Sequence, residues 1–187
     1  MRSVHHRPTR AELLAAAGKS IRDVIGPDLR VLFCGINPGL YSAATGHHFA
    51  RPGNRFWPAL HLGGFSRRLL HPSEERLLLD DGYGITNLVA RSTAAADELA
   101  PGEFVAGRRR LVAKVRRYRP RAVAVLGVGA YRLAFGAPKA SLGRQPGELE
   151  GALLWVLPNP SGLNANHQLP DLARLFRKLR KVTSGRR

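Results

Sequence analysis

Short apolar runs alternate along the chain with segments in which apolar residues recur every three or four positions. Four of the apolar runs are rich in β-branched residues and are predicted to be buried strands, at 30–34, 84–89, 122–127 and 153–158. Helical spacing or helix-start signals predict helices at 9–25, from about 54, and at 73–82, 101–118, 129–135 and 169–182. This alternation predicts an α/β fold, a three-layer α/β/α sandwich around a short, mainly parallel four-stranded sheet.

The pattern shows no internal repeat and no low-complexity linker, so residues 9–182 are predicted to form a single domain. Residues 1–8 and 183–187 are expected to be flexible tails, the second of them basic. No apolar run has the length of a membrane span, and none resembles a signal peptide. We therefore expect a cytoplasmic protein that does not bind a membrane.

The charge of the chain indicates the class of molecule that it binds. The chain carries 30 basic and 13 acidic residues, which gives a formal net charge of +17. Arginines greatly outnumber lysines among the basic residues, and the arginine guanidinium matches phosphate oxygens with a planar fork of donors. The composition favours a polyanionic partner. A genome rich in G and C, which encodes arginine freely, is the alternative explanation. The single cysteine, Cys34, excludes an internal disulfide and a four-cysteine metal site.

Two compact loops follow predicted strands, with sequences GINPG at 35–39 and NPSGLN at 159–164. Ligands of open parallel sheets bind beyond the carboxyl ends of the strands. Neither 29–73 nor 151–170 contains Asp or Glu, so the loops offer amides, hydroxyls and backbone N–H groups in place of a nearby carboxylate base. Such donors suit a reaction that expels a stabilised anion, such as hydrolysis of a base–sugar bond. The alternative is that Asn-Pro-Gly merely forms a turn.

Three other motifs match known binding sites only in part. Gly18-Lys19-Ser20 lacks the earlier glycine of a phosphate-binding loop, and the glycines at 127 and 129 match only part of a dinucleotide fingerprint. His47 and His48 are adjacent, with no cysteine or acid near them in the sequence, so no metal site is predicted.

The motifs CGINPGLY, TGHHFARPGNRFWPAL, GITNLVARST and VLPNPSGLN together resemble the mismatch-specific uracil-DNA glycosylases, relatives of thymine-DNA glycosylase. The resemblance covers residues 28–182 in the order and spacing of that family. It implies the same α/β/α fold, a double-stranded DNA substrate that contains uracil or a related lesion, and no metal or organic cofactor. It also implies a monomer.

The resemblance assigns roles to individual residues. Asn37 corresponds to the residue that positions the hydrolytic water, and Asn159 to the one that holds the base or sugar. Ile36 lines the base pocket, Ser42 lies near C5 of the pyrimidine, Phe49 stacks on the flipped base, and Asn87 lies at the pocket edge. Gly162 and Leu163, with Ser161 and Asn164 beside them, correspond to the wedge that fills the gap left by the flipped nucleotide. A core Phe49 and a merely exposed Leu163 are the alternatives.

Two positions depart from the family pattern. Asn164-Ala165-Asn166 stands where familiar members carry an arginine that holds the opposite strand, so preference for G·U over A·U is in doubt. Ala90 stands where some members carry an acid. Arg51, Arg55 and Arg91 are the candidate phosphate contacts because they lie near the motifs in sequence.

The sequence therefore predicts a monofunctional glycosylase that flips uracil out of duplex DNA, as in G·U mismatches, and hydrolyses its N-glycosidic bond. Neither motif contains a lysine that could form a Schiff base, so strand cleavage is not expected. Three alternatives stay open: a glycosylase for hypoxanthine, xanthine or alkylated cytosine, a non-catalytic mismatch or damage sensor, and a general basic nucleic-acid-binding domain.

Overall fold

The computed structural model describes residues 7–185. Its centre is a five-stranded sheet in the order β2-β1-β3-β5-β4, with strands β1 (Val31–Gly35), β2 (Tyr83–Asn87), β3 (Ala122–Leu126), β4 (Gly143–Leu149) and β5 (Ala152–Leu157). β2, β1, β3 and β5 are parallel, and β4 pairs antiparallel with β5. The predicted α/β class and mainly parallel sheet are confirmed, with one strand more than expected.

The additional strand, β4, has the sequence GRQPGEL, which shows no run of apolar residues. It lies at the sheet edge, where a proline is tolerated because one side of the strand needs no ladder partner. Glu150 and Gly151, both at positive φ, form the tight turn to β5. Pairing with β5, rather than any pattern of its own, makes this segment a strand.

Helices cover both faces of the sheet. The central strands are fully buried, and their alternate side chains divide between two apolar clusters: Phe33 packs with Phe56 and Phe176 on one face, and Leu32 packs with Leu111 on the other. The helices are α1 (Arg10–Ala15), α2 (Leu40–Thr45), α3 (Phe56–Leu62), α4 (Pro101–Tyr118), α5 (Val128–Phe135) and α6 (Leu169–Thr183). α3 packs with α6, and α4 packs with α5.

The helix predicted over 9–25 is wrong beyond its first turns. Thr9 and Glu12 form the expected capping box, but α1 ends at Ala15. Gly18 then takes a positive φ of 76°, and Val24 pairs with Ile85 of β2 in an antiparallel bridge. Pairing with the sheet edge therefore overrides the helical spacing of this segment, and it brings Ile21 and Arg22 to the functional end of the molecule.

The other boundaries differ in smaller ways. The segment predicted as a helix over 73–82 is a 3-10 helix at Pro72–Leu79, and α2 was not predicted. The tail predicted at 1–8 falls mainly outside the described residues. Of the tail predicted at 183–187, Thr183 ends α6 and residues 186–187 lie outside the described range. No helix within 7–185 combines the length and apolarity needed to cross a bilayer.

Candidate active site

A cavity of about 400 Å³ opens at the carboxyl ends of the parallel strands. It lies where the chain leaves β1 and β5, and the ends of β2 and β3 contribute Asn87 and Leu126 to its wall. Two loops contribute to its lining, the Asn37 loop (36–39), between β1 and α2, and the wedge loop (158–168), between β5 and α6, and so do residues of 93–96 and 48–54. This is the end of the sheet at which the sequence placed the site.

Asn37 has one end of its amide fixed. Its Nδ2 donates to the carbonyl of Arg91 at 3.0 Å and to the Oγ1 of Thr93 at 2.7 Å. Because a carbonyl oxygen can only accept, the nitrogen must face that side. The Oδ1 of Asn37 accepts no hydrogen bond from any described residue, and the residue lines the cavity. Asn37 therefore offers the cavity a hydrogen-bond acceptor, which suits a water molecule.

Asn159 has the opposite end of its amide fixed. Its Oδ1 accepts from the backbone N–H of Ser161 at 3.0 Å, which identifies that atom as the oxygen. The Nδ2 of Asn159 has no hydrogen-bond partner within 7–185, and the residue lines the same cavity. The two asparagines thus present complementary groups, an acceptor at Asn37 and a donor at Asn159.

Phe49 forms an aromatic wall of the cavity. One of its ring faces stacks on Phe56 at 4.1 Å between ring centroids, and its backbone has a positive φ of 54°. Such backbone costs a non-glycine residue about 1–3 kcal/mol, so surrounding contacts must hold it. Buried Ser42 supplies one, since its Oγ accepts from the backbone N–H of Ala50 at 3.1 Å. A planar base can therefore stack only on the opposite face of the Phe49 ring.

His48 and Asn87 lie together in the cavity wall. The Nε2 of His48 is 3.0 Å from the carbonyl of Arg22, to which it must donate, so the Nδ1 of the neutral ring accepts. Asn87 Nδ2 lies 3.4 Å from that Nδ1. Burial lowers the pKa of His48, an effect that Glu75 opposes, and keeps the ring neutral. The Asn87 amide is thereby oriented with Oδ1 away from the histidine.

Gly35 makes room for that oxygen. A Cβ at this position would lie 2.5 Å from Asn87 Oδ1 and 3.2 Å from the Phe49 ring, and contacts under 3.0 Å are not tolerated. The glycine at the end of β1 therefore lets Asn87 and Phe49 approach the same point of the cavity.

No Asp or Glu lines this cavity among the described residues. Within 7–185 there is also no group of three or more histidine, cysteine, aspartate or glutamate side chains that could hold a metal ion. Cys34 is fully buried within β1, and burial raises the pKa of its thiol to about 12, so it is not a nucleophile at neutral pH. The cavity's polar and aromatic groups are amides, hydroxyls, the neutral His48 imidazole, the Phe49 ring and, on the rim, the Arg51 guanidinium.

Leu163 is the most exposed of the large apolar side chains described, at 76%. It stands on the cavity rim, at the outer end of the wedge loop. The neighbouring Gly162 lies against Gly53, whose carbonyl oxygen would be 2.6 Å from a Cβ on Gly162. A side chain at this glycine would push the wedge loop off the 51–54 segment.

The three predicted phosphate contacts have different surroundings. Arg51 is exposed on the cavity rim and makes no ion pair or side-chain hydrogen bond with a described residue. Arg91 forms an ion pair with Glu103 at 2.7 Å, which holds the pKa of that carboxyl at about 2. Arg55 donates to the carbonyls of the wedge loop, so its guanidinium is engaged within the protein, and its role as a phosphate contact stays a prediction. Arg51 is the best placed of the three for a phosphate.

The Asn164 side chain is also hydrogen-bonded within the protein. Its Nδ2 donates to the carbonyl of Asn159 at 2.9 Å, and its Oδ1 accepts from the backbone N–H of Asn166 at 3.1 Å. Asn164, the first residue of the Asn-Ala-Asn run, therefore has both ends of its amide occupied within the protein.

The structure gathers most of the predicted site residues around one cavity. They are Ile36, Asn37, Ser42, Phe49, Arg51, Asn87, Asn159, Ser161, Leu163 and Asn164. Gly162, Arg55 and Arg91 do not line it. Ile21, His48, Thr93 and Leu126 are among the lining residues that sequence reasoning missed. Thr93 lies in a quoted motif, whereas Ile21 was assigned to a helix and His48 was considered only as a metal ligand.

Known proteins resemble this chain both in sequence and in structure. The sequence model of the Uracil DNA glycosylase superfamily matches residues 22–181. The structure is similar to the solution NMR structure of a candidate uracil DNA glycosylase from Methanosarcina acetivorans, with a TM-score of 0.57 and 16% sequence identity. That alignment covers 87% of this chain and 98% of the other. At this identity the structural match shows a shared fold.

Proposed function

The chain belongs to the Uracil DNA glycosylase superfamily, and from this premise we propose that it is a monofunctional glycosylase that removes uracil from double-stranded DNA. The observation that carries the proposal is the pair of oppositely oriented amides. Asn37 offers an acceptor and Asn159 a donor to a cavity that no carboxylate lines among residues 7–185. Hydrolysis of an N-glycosidic bond needs a held water and a stabilised leaving base, and these two groups provide for both.

In the proposed reaction the bond between C1′ of the sugar and N1 of uracil breaks, and both electrons leave with the base. The sugar becomes cation-like and the base becomes an anion, which N–H donors such as the Nδ2 of Asn159 stabilise. A water held by Asn37 Oδ1 then adds to C1′. Its proton passes to solvent and the released base takes one up, which leaves an abasic site. Because no carboxylate lines the cavity, stabilisation of the leaving base is expected to supply most of the rate enhancement.

The orientation of the Asn87 amide favours a base that presents an N–H group to its Oδ1. Its orientation by His48 leaves Oδ1 as the available acceptor. Uracil, and equally hypoxanthine and xanthine, carry a ring N–H beside a carbonyl, whereas cytosine has an unprotonated ring nitrogen at that position. The acceptor therefore favours deaminated bases over cytosine. Stacking on Phe49 is open to each of them.

Preference for guanine in the opposite strand is proposed to be weak. The arginine that familiar family members carry after the wedge leucine is absent, and Asn164 uses both ends of its amide within the loop. We therefore expect G·U and A·U duplexes to be cleaved at rates within about tenfold of each other, which is 1.4 kcal/mol.

The test is single-turnover incubation with end-labelled duplexes that carry G·U, A·U, G·T or G·hypoxanthine, followed by alkali to cleave abasic sites. The Asn37→Ala variant is the matched control. Release of uracil that is lost in the variant supports the proposal. Binding without release from any duplex contradicts it and favours a damage sensor, and release of hypoxanthine alone assigns a different lesion.

A further inference from the structure

The wedge loop is docked on the segment that precedes α3. The backbone N–H of Arg55 donates to the carbonyl of Pro160 at 2.9 Å, and Gly162 lies flush against Gly53. α3 itself is anchored in the core, because Phe56 is fully buried and Trp57 nearly so. The support under the loop is therefore rigid, while Leu163 on top of it is exposed.

The Arg55 guanidinium joins three points of the loop. Its Nη2 donates to the carbonyls of Ser161 at 2.5 Å and Asn164 at 2.7 Å, and its Nη1 donates to the carbonyl of His167 at 2.7 Å. These carbonyls flank Gly162 and Leu163 on both sides. Hydrogen bonds from a charged donor are about twice as strong as neutral ones, and only a planar fork can serve three acceptors at once.

We propose that Arg55 is a positioning residue that holds the wedge loop in its inserting conformation before DNA is bound, an inference that rests on the proposed function. A loop that must be ordered during insertion costs conformational free energy at the moment when the base leaves the stack. Arg55 removes that cost because the loop is already ordered in the free protein. It acts on flipping and not on bond cleavage.

The proposed role of Arg55 predicts different effects on the cleavage of duplex and of single-stranded DNA. In a duplex, uracil must be unstacked and its place filled, so a disordered wedge slows the reaction. A single-stranded oligonucleotide offers uracil with little stacking to replace, so the wedge contributes little there. A residue that only positions the wedge therefore affects duplex cleavage alone.

The experiment measures single-turnover rates of Arg55→Gln and Arg55→Lys on a G·U duplex and on the same uracil-containing strand without its complement. Both variants are expected to lose about tenfold or more on the duplex, and less than about twofold on the single strand. Lysine is expected not to rescue, because a point charge cannot serve three carbonyls. Arg116→Gln, which removes a surface partner of Glu150 far from the site in the fold, is the control and should change neither rate.

The salt dependence of duplex binding distinguishes positioning from phosphate contact. Each phosphate contact contributes about 0.9 to the slope of log K against log salt. Arg55→Gln is expected to leave that slope unchanged, whereas Arg51→Gln should reduce it by about one. A lower slope for Arg55→Gln would overturn the proposal, as would equal losses on both substrates.

Hydrogen exchange of the free protein tests the positioning without reference to catalysis. Arg55→Gln should speed exchange of the amides of Ser161, Leu163 and Asn164, while the strands of the sheet keep their protection. Unchanged exchange in the loop overturns the proposal even if the protein cleaves DNA as expected. Faster exchange in the loop of a protein that releases no base supports the positioning and contradicts only the proposed function.

Discussion

The two loops at the mouth of the cavity each contain an Asn-Pro pair shortly after a parallel strand, yet they are held in different ways. The Asn37 loop is tied to the chain beyond β2 by backbone hydrogen bonds, from Val89 N–H to the Ile36 carbonyl at 2.9 Å and from Thr93 N–H to the Pro38 carbonyl at 3.2 Å. The wedge loop is held by Arg55, whose backbone N–H donates to the carbonyl of Pro160 and whose guanidinium donates to three further carbonyls of the loop.

The difference matches the tasks proposed for the loops. A water must be held within a fraction of an ångström of its attack position, and backbone pairing with a neighbouring segment provides that rigidity. A wedge must project from the surface to enter a base stack, so it cannot be covered by the fold that supports it. The comparison shows that the Asn37 loop is held by backbone hydrogen bonds to the segment that follows β2. The wedge loop is held by the charged guanidinium of Arg55 beneath it.

The largest effect is expected from removal of the chemical group. Asn37→Ala should reduce the single-turnover rate about 100-fold or more, and equally on duplex and single-stranded uracil, because both need the held water. Duplex affinity, measured by fluorescence anisotropy, should stay within about twofold of the original. A loss restricted to the duplex would contradict the division of tasks between the loops.

Truncation of the wedge should give a smaller and selective effect. Leu163→Ala removes apolar surface that replaces lost base stacking, so the duplex rate should fall about tenfold, which is 1.4 kcal/mol. The rate on the single strand should be unchanged, and Leu163→Met, which keeps the apolar bulk, should be close to the original. If both substrates were affected alike, Leu163 would have to contribute to the cavity itself and not to insertion.

A still smaller effect is expected at the support of Asn37. Thr93→Val removes the hydroxyl that accepts from Asn37 Nδ2 and leaves the Arg91 carbonyl as its only described partner. A net hydrogen bond contributes about 0.5–1.5 kcal/mol, so rates on both substrates should fall about 2–12-fold. Thr93→Ser keeps the hydroxyl and serves as the control. A duplex-specific loss in Thr93→Val would show that the Asn37 loop also takes part in flipping.

The smallest effect is expected from a change of pH, which acts through His48 in the cavity wall. Burial lowers the pKa of His48 below its ordinary 6.5, so below that pH the unfolded chain binds a proton that the folded protein resists. The free energy of unfolding should therefore decrease as the pH falls from 7 through 6. Glu75, Asp23 and Lys114 are the charged groups that act on this ring, and the two carboxylates moderate the effect.

The measurement is urea denaturation of the original protein and of His48→Gln between pH 5 and 8. The variant should show a flatter dependence on the acid side, because it has no ring to protonate. The same slope in both proteins would assign the acid sensitivity to other groups. Cleavage of uracil should weaken only at a lower pH than the one at which stability begins to fall, because the folded protein resists protonation of His48, and a protonated Nδ1 can no longer accept from Asn87.

Strand positions and motif residues could be predicted from the sequence because the information is local. Runs such as Val31–Gly35 are apolar on both faces, which only a strand between two helical layers satisfies. The α4 helix has both bounds as predicted, since Pro101 begins it and its apolar face recurs with helical spacing. The predicted parallel sheet places Asn37 and Asn159 at one end, because the carboxyl ends of parallel strands meet at the same edge, whereas the order of the strands was not predicted.

Other features depended on partners distant in the chain. Helical spacing between Ile21 and Val24 was overridden by pairing with β2, and β4 became a strand only because β5 offered an edge. Arg55 was assigned to phosphate because its neighbours in sequence suggested DNA, whereas its neighbours in space are carbonyls more than 100 positions away.

The sequence by itself determined the fold class, the superfamily and the amide chemistry of the two loops, because burial periodicity and short motifs are written in consecutive residues. Tertiary structure alone decided which end of each amide faces the cavity, since that depends on whether a carbonyl or an N–H lies behind it. It also decided that the Arg55 and Arg91 side chains have partners within the protein, whereas that of Arg51 has none among the described residues. A guanidinium binds whatever acceptors the fold brings within reach, and for Arg55 these belong to the protein itself.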